Sequence, residues 1–245
     1  VQVTVRLFAG LREVAGSDRL VEDFDGQAVT VETLRARLEE AHPGLRPYLS
    51  GVAIAVNEEY ILEPGTTLSD GDTVALIPPI AGGSDSTDGT DAAGAGGEAP
   101  LYLVTAAVLE PRALREAVMT PASGACVVFE GVVRDHHEGR AVERVEYEAY
   151  EEMAERQLRA VGEEVLRDFA GREVHAAGIH HRTGPLDVGE TSLLVAVSAA
   201  HRRDAFEAAL RAVDRVKETV PVWKKEWGPD GSHWQEGVQP RPGTA

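Results

Sequence analysis

The basic residues of this chain are distributed in a way that points to chemistry. Among 24 lysines and arginines only three are lysines, Lys217, Lys224 and Lys225, and all three fall within one short window. Arginine supplies surface charge and forked anion contacts, whereas lysine is the side chain whose pKa is readily lowered so that its amine acts as base or nucleophile. A chain that rarely uses lysine keeps it where an amine could react; the plain alternative is a solvated charged turn after a helix. Two further cationic groups are Arg134 with His136 and His137, and His201-Arg202-Arg203. Each lies at the end of an expected strand or helix, where several elements can converge on one pocket. Forked guanidinium contacts and a point-charge amine suit a phosphate-bearing substrate. The alternative is a scatter of surface cations paired with the many carboxylates.

A second group is Pro78-Pro79-Ile80-Ala81-Gly82-Gly83. A Gly-Gly tail has no Cβ atoms, so it can thread a narrow channel and bring its last carbonyl to a reacting centre. On composition alone it is equally the first step of a glycine-rich linker. Cys126 is the single cysteine; it cannot form an internal disulfide, and within the apolar run Ala125 to Phe129 it reads as a small buried hydrophobe. The histidines include the adjacent pairs His136-His137 and His180-His181, but neighbours on a strand point to opposite faces. With no Cys-x-x-Cys or His-Glu-x-x-His spacing, no metal site is expected.

Composition bounds the function. The 245 residues suit one large domain or two modest ones, and 43% hydrophobic with 27% charged residues is an ordinary globular balance. A formal charge of −17 argues against a nucleic-acid or anionic-membrane partner, either of which needs a broad basic face. There is no run of 18 apolar residues, and period-two alternation begins at Val1, so no membrane span or signal peptide is expected and the protein reads as cytoplasmic.

The elements that must position these residues fall in two segments. Residues 84–100, SDSTDGTDAAGAGGEAP, hold no large apolar residue and read as a flexible linker. Before it, alternation from Val1 to Phe8, a helical patch at Leu11 and Val14, and a return strand near Arg19 to Phe24 precede a helix. That helix carries Val31, Leu34, Leu38 and Ala41, with Thr30 as N-cap and Pro43-Gly44 closing it. Strands at Val52 to Val56 and Thr73 to Pro79 complete a small sheet crossed by one main helix. After the linker, strands are expected at Leu101 to Ala107, Ala125 to Arg134, Val142 to Ala149, Val174 to His181 and Ser192 to Ser198. Helices are expected after Pro111, from Tyr150 to Phe169 and from Asp204 to Thr219. On the last helix Phe206, Leu210 and Val213 recur at helical spacing and Lys217 ends the same stripe, its stem partly buried and its amine near a cleft.

Both segments resemble known families. Leu7-Phe8-Ala9, Leu11-Arg12-Glu13, Gly16, Leu68-Ser69-Asp70-Gly71-Asp72, Val74-Ala75 and the Gly-Gly end are similar to the small subunit of molybdopterin synthase over residues 1–83. The thiamine-pathway sulfur carriers share that fold and ending. Gly124-Ala125 with Phe129, Gly131, Val133, Arg134 and His136, then His181-Arg182, Gly184, Leu186 and Gly189-Glu190, are similar to the large subunit. So are Ala200-His201-Arg202, Ala205-Phe206, Lys217, Pro221-Val222-Trp223-Lys224-Lys225-Glu226, and Trp234 with Glu236.

The resemblance implies an α+β chain. It has a β-grasp (ubiquitin-like) sulfur-carrier domain over 1–83, a linker over 84–100, a catalytic α/β domain of the large-subunit type over 101–237 and a tail over 238–245. It implies that Lys217 and Lys224 are catalytic, that Arg134, His201 and Arg202 hold an anionic pterin, and that Phe129 and Lys225 line the same pocket. The implied substrate is cyclic pyranopterin monophosphate, and the sulfur donor is a thiocarboxylate at Gly83, with no permanently bound cofactor. The implied partners are an adenylating, sulfur-loading enzyme and a second copy joined through the C-terminal domain. Lys217 could serve as acid, base or transient nucleophile. Where the family carries an arginine after the Trp-x-Glu element, Val238 stands here, with Arg241 nearby. Because Ser84 follows Gly83, a free carboxyl requires cleavage after Gly83; otherwise the uncut chain serves as the catalytic part only, fed by a separate carrier. The other readings are a ubiquitin-like interaction or modifier module on a non-catalytic platform, and a metal-dependent hydrolase.

Overall fold

The computed structural model describes residues 1–25, 29–80, 99–235, 237, 239 and 240. Gly83, nearly all of the linker, Val238 and Arg241 lie outside the described residues. The chain forms two compact units, Val1–Ala81 together with Glu236–Ala245, and Gly82–Gln235.

In the first unit, strands β1 (Gln2–Leu7) and β2 (Arg19–Asp23) flank helix α1 (Ala9–Ala15). A short strand β3 (Val29–Thr30) leads into helix α2 (Val31–Ala41), and a helical turn α3 (Arg46–Leu49) follows. Strands β4 (Ala53–Val56), β5 (Glu59–Ile61), β6 (Thr67–Leu68) and β7 (Thr73–Ile77) complete the unit. The main sheet has the order β2-β1-β7-β4-β5, with β1 and β7 parallel at its centre. Thr30 caps α2 as expected: Thr33 N–H donates to its Oγ1 at 3.2 Å, while its own N–H donates to Thr33 Oγ1 at 2.7 Å. Val31, Leu34 and Leu38 on α2 pack on Val3, Val5, Val74 and Leu76 of the sheet. This is the β-grasp arrangement that the resemblance implies, and it contains the small sheet crossed by one main helix that the alternation predicts.

The second unit begins with β8 (Tyr102–Thr105), helix α4 (Pro111–Val118), β9 (Ala125–Val132) and the small hairpin β10 (His136–His137) and β11 (Arg140–Ala141). Then come β12 (Arg144–Ala149), helix α5 (Glu151–Asp168), β13 (Val174–Arg182), β14 (Gly184–Asp187) and β15 (Thr191–Ala199). Helix α6 (Arg202–Thr219), β16 (Val222–Gly228) and β17 (Gly231–Trp234) end it. One sheet has the order β8-β13-β15-β9, the other β14-β12-β16-β17. Alternation along β15 explains the layering. Leu193, Val195 and Val197 pack on α5 and α6, while Leu194 and Ala196 pack on α4 from the opposite face.

Two expectations are corrected and one alternative falls. Phe206 and Leu210 are exposed, because α6 seats its alanines, Ala205, Ala208, Ala209 and Ala212, with Val213 and Val216, on the sheet. Cys126 is half-buried rather than core, since β9 is an edge strand; burial still pushes its thiol pKa up. Lys224 and Lys225 lie within β16, not on a solvated turn after the helix.

Candidate functional site

Strand β16 pairs antiparallel with β12, placing Lys224 opposite Tyr147 and Glu226 opposite Val145. Period-two geometry puts Val222, Lys224 and Glu226 on one face and Trp223, Lys225 and Trp227 on the other. On the first face Val222 joins the same core cluster as Val216 and Val220, so the end of α6 bearing Lys217 packs where Lys224 emerges. Lys217 is half-buried there, as expected, although Phe206 and Leu210 earlier in its stripe are exposed.

Lys224 is held by a buried acid. Its Nζ lies 2.9 Å from Oε1 of Glu226, a residue only 1% exposed. His137 Nδ1 stands 3.2 Å from the same oxygen, and His233 Nε2 stands 3.3 Å from Oε2. Burial opposes ionisation of Glu226, but the hydrogen bond and charge of Lys224, with the two imidazoles, outweigh it and hold the carboxyl below its ordinary pKa. The carboxylate therefore stays ionised and fixes the lysine amine. Sequence reasoning quoted Glu226 as a motif residue but gave it no role. The signal was the Lys-x-Glu spacing, which aligns the two only once the segment is known to be a strand.

Lys225 is a correction. It faces away from Lys224, with Nζ 5.5 Å from the ring centroid of Trp227 and 5.3 Å from that of Trp234. The strand period that aligns Lys224 with Glu226 necessarily turns Lys225 to the aromatic side.

Arg134 follows β9. The preceding Val133 is pinned by its N–H donating to Glu190 O at 3.0 Å and its carbonyl accepting from Gly189 N–H at 2.8 Å. Glu190 is itself locked: its carboxylate accepts from Asp187 N–H at 2.7 Å and from Arg182 at 2.9 Å, and these bonds lower its pKa. The His181-Arg182 and Gly189-Glu190 pairs thus form the turn that orients the start of the Arg134 loop. Val133 packs with Val145, beside Tyr147, so Arg134 begins at the Lys224 end of the unit. Phe129 lies half-buried on the face of β9 that meets the α5–α6 core.

His201 and Arg202 do not join this group within one chain. The β9–β15 register pairs Ala125 with Ala199 and Val132 with Thr191, so His201 and Arg134 flank opposite ends of the pair. Eight residues of strand span roughly 25 Å at about 3.3 Å each. Along α6, His201 and Lys217 are separated by roughly 24 Å at about 1.5 Å per residue. The expectation that all cations converge on one pocket therefore fails for a single chain, because antiparallel pairing sends successive connections to opposite ends of the sheet. His201 and Arg202 are exposed, with His201 Nε2 standing 3.9 Å from Glu173. Gly124, in the loop entering β9, is required to be glycine: a Cβ there would overlap the Ala200 carbonyl, and its N–H donates to Ala199 O at 3.0 Å.

The histidine pair at 180 and 181 is structural. Both faces of β13 are covered, so both rings are buried; His180 Nε2–H donates to Pro100 O at 2.6 Å and His181 Nδ1–H to Arg182 O at 2.9 Å. Among the described residues no three His, Cys, Asp or Glu side chains are grouped to hold a metal ion. No helix among them is long and apolar enough to cross a membrane.

Comparison with known proteins agrees with this layout. Residues 104–219 match the family model described as MoaE protein, and residues 5–83 match that of the ThiS family. The molybdopterin synthase catalytic subunit of Staphylococcus carnosus is 45% identical over 120 residues, which is 49% of this chain and 78% of that protein. The one from Pyrococcus abyssi is 48% identical over 120 residues, 49% of this chain and 79% of its own. The crystal structure of molybdopterin synthase from Staphylococcus aureus matches with TM-score 0.53 and 39% identity, covering 56% of this chain and 98% of that one. The expected fold class and fused arrangement hold. At 45–48% identity over more than three quarters of those relatives, the chain belongs to the molybdopterin synthase catalytic subunit family, fused behind a ThiS-family β-grasp unit, and it is an enzyme of molybdopterin biosynthesis.

Proposed function

We propose that this chain is a self-contained molybdopterin synthase in which the β-grasp unit, cut after Gly83 and loaded as a thiocarboxylate, donates sulfur to cyclic pyranopterin monophosphate. The observation that carries the reading is the presence of a ThiS-family unit and a MoaE-family unit in one polypeptide, at 5–83 and 104–219. The donor sulfur attacks a substrate carbon, forming a carbon–sulfur bond and an acyl thioester, while the carbon–oxygen bond it replaces breaks and that oxygen leaves with a proton supplied by a lysine. Water then cleaves the acyl–sulfur bond, returning Gly83 as a carboxylate and leaving the sulfur on the pterin. A second loaded carrier supplies the second sulfur of the dithiolene. An adenylating, sulfur-loading enzyme is the partner that recharges Gly83. Lys224, fixed by Glu226, and Lys217 handle protons or transient bonds, and Arg134 neutralises the anionic substrate.

A second copy of the chain completes the binding set. β9 is an edge strand with every residue half-buried, and α6 beside it exposes Phe206 and Leu210. Antiparallel packing of two copies across this edge brings His201 and Arg202 of one to the Arg134 end of the other. The test of the whole reading is single-turnover sulfur transfer with the chain cut after Gly83 and thiocarboxylated. Dithiolene product that is lost in Lys217→Ala supports it; unchanged product in that variant contradicts it.

A further inference from the structure

The last described residues cluster with the first unit, not with the unit they follow in sequence. A Cβ on Gly237 would overlap the Ile80 carbonyl and come within 2.6 Å of the Pro79 carbonyl carbon, so the chain passes there backbone against backbone. Gln239 Nε2 donates to Gly51 O. Pro240 is buried and, with Val31, Val52, Ile54, Tyr60 and Ile61, lines a groove of about 410 Å³ between α2 and the β4–β5 edge. The β-grasp fold explains the groove: α2 crosses the sheet and leaves the outer strand pair uncovered on one side. The sequence explains why Pro240 seats at this edge. Proline fixes its own φ and restricts the preceding Gln239 to extended backbone, so the segment docks with little loss of conformational freedom.

We propose that Gly237, Gln239 and Pro240 act as a clasp by which the chain end that follows the catalytic unit holds the β-grasp carrier once the linker has been cut. The clasp rests on the cleavage step of the sulfur-transfer reading. It gives the fusion a purpose that a severed linker would otherwise remove: the carrier stays attached, through a segment remote from the linker, while its own C-terminus is free.

The test introduces a site-specific protease sequence into residues 84–96 of the full chain, cuts it, and measures the affinity of the released N-terminal piece for the remainder. The clasp predicts that the pieces co-elute in size-exclusion chromatography. It also predicts that a chain ending at Gln235, and separately Pro240→Asp or Gly237→Leu, weakens the Kd at least tenfold while the melting of the second unit is unchanged. Separation of the wild-type pieces, or a Kd within twofold in all three variants, overturns it. The engineered cut makes this readout independent of sulfur chemistry, so loss of the clasp and loss of the transfer reading are distinguishable.

Discussion

The amine of Lys224 lies 2.9 Å from the carboxylate of Glu226, which is itself 1% exposed and flanked by His137 and His233. The carboxylate fixes the position of the amine. Glu226→Gln leaves a largely buried ammonium without its counter-ion, at a cost of roughly 3 kcal/mol. A thermal melt of the variant is expected to fall by several degrees. Sulfur transfer is expected to lose kcat more than KM, with an altered pH profile, which a purely structural role would not produce.

The two neighbouring lysines separate by face. Lys224→Ala is expected to lower the transfer rate by about 100-fold or more, as loss of a proton-handling group does. Lys225→Ala removes contacts to the Trp227 and Trp234 rings and is expected to cost about 1 kcal/mol of stability with a rate within a few-fold of wild type. Single-turnover rates of the two variants check this directly.

Heterodimer complementation tests the composite site. Lys217→Ala and the double variant His201→Ala, Arg202→Ala are each expected to be inactive. Mixed under conditions that exchange subunits, they form heterodimers in which one site is built wholly from wild-type residues, and activity returns. If each site is contained in one chain, every site in the mixture lacks a residue and no activity returns.

Acid stability should follow the buried imidazoles. Desolvation by burial outweighs the hydrogen bond to Arg182 and pushes His181 from the ordinary 6.5 down to about 4. Burial, opposed by the Pro100 hydrogen bond, lowers His180 in the same direction. Both are neutral in the fold at pH 7, so their contribution is complete above the unfolded pKa and is lost as pH falls from 6.5 toward about 4. For His181 this is up to about 3 kcal/mol. Unfolding free energy measured by denaturant at pH 7 and pH 5 should drop, and the drop should be smaller in His181→Asn; an equal drop contradicts the assignment.

Close packing of α5 on β8 depends on a helix glycine. A Cβ at Gly162 would lie 2.7 Å from Cζ of Tyr102. Gly162→Ala is therefore expected to destabilise the second unit by roughly 1–3 kcal/mol despite the better helix propensity of alanine. A chemical denaturation curve settles the sign.

Much of this architecture is legible in the sequence because local pattern and tertiary demand agree. Thr30 capping α2, alternation through β1, and the Pro111 start of α4 are instances. What escapes is set by partners distant in sequence. β16 and β17 are rich in lysine, tryptophan and glycine rather than branched apolar residues, and they become strands by pairing with β12 and with each other. Missing β16 hides both the Lys224–Glu226 pair and the outward turn of Lys225. Phe206 and Leu210 mislead because apolar type at helical spacing marks burial, but not whether the burial is within one chain. Separation of Arg134 from His201 follows from the β9–β15 register, which no local pattern encodes.

The most direct test of the central claim is the intact mass of the protein purified from cells that make the molybdenum cofactor. A fragment ending at Gly83, and heavier than the simple carboxylate by the roughly 16 Da that separates sulfur from oxygen, is the predicted result, since sulfur transfer of this type passes through a nucleophilic donor formed at a free chain end. A full-length species alone, with no cut after Gly83, would contradict the account and leave the catalytic unit dependent on sulfur from another protein.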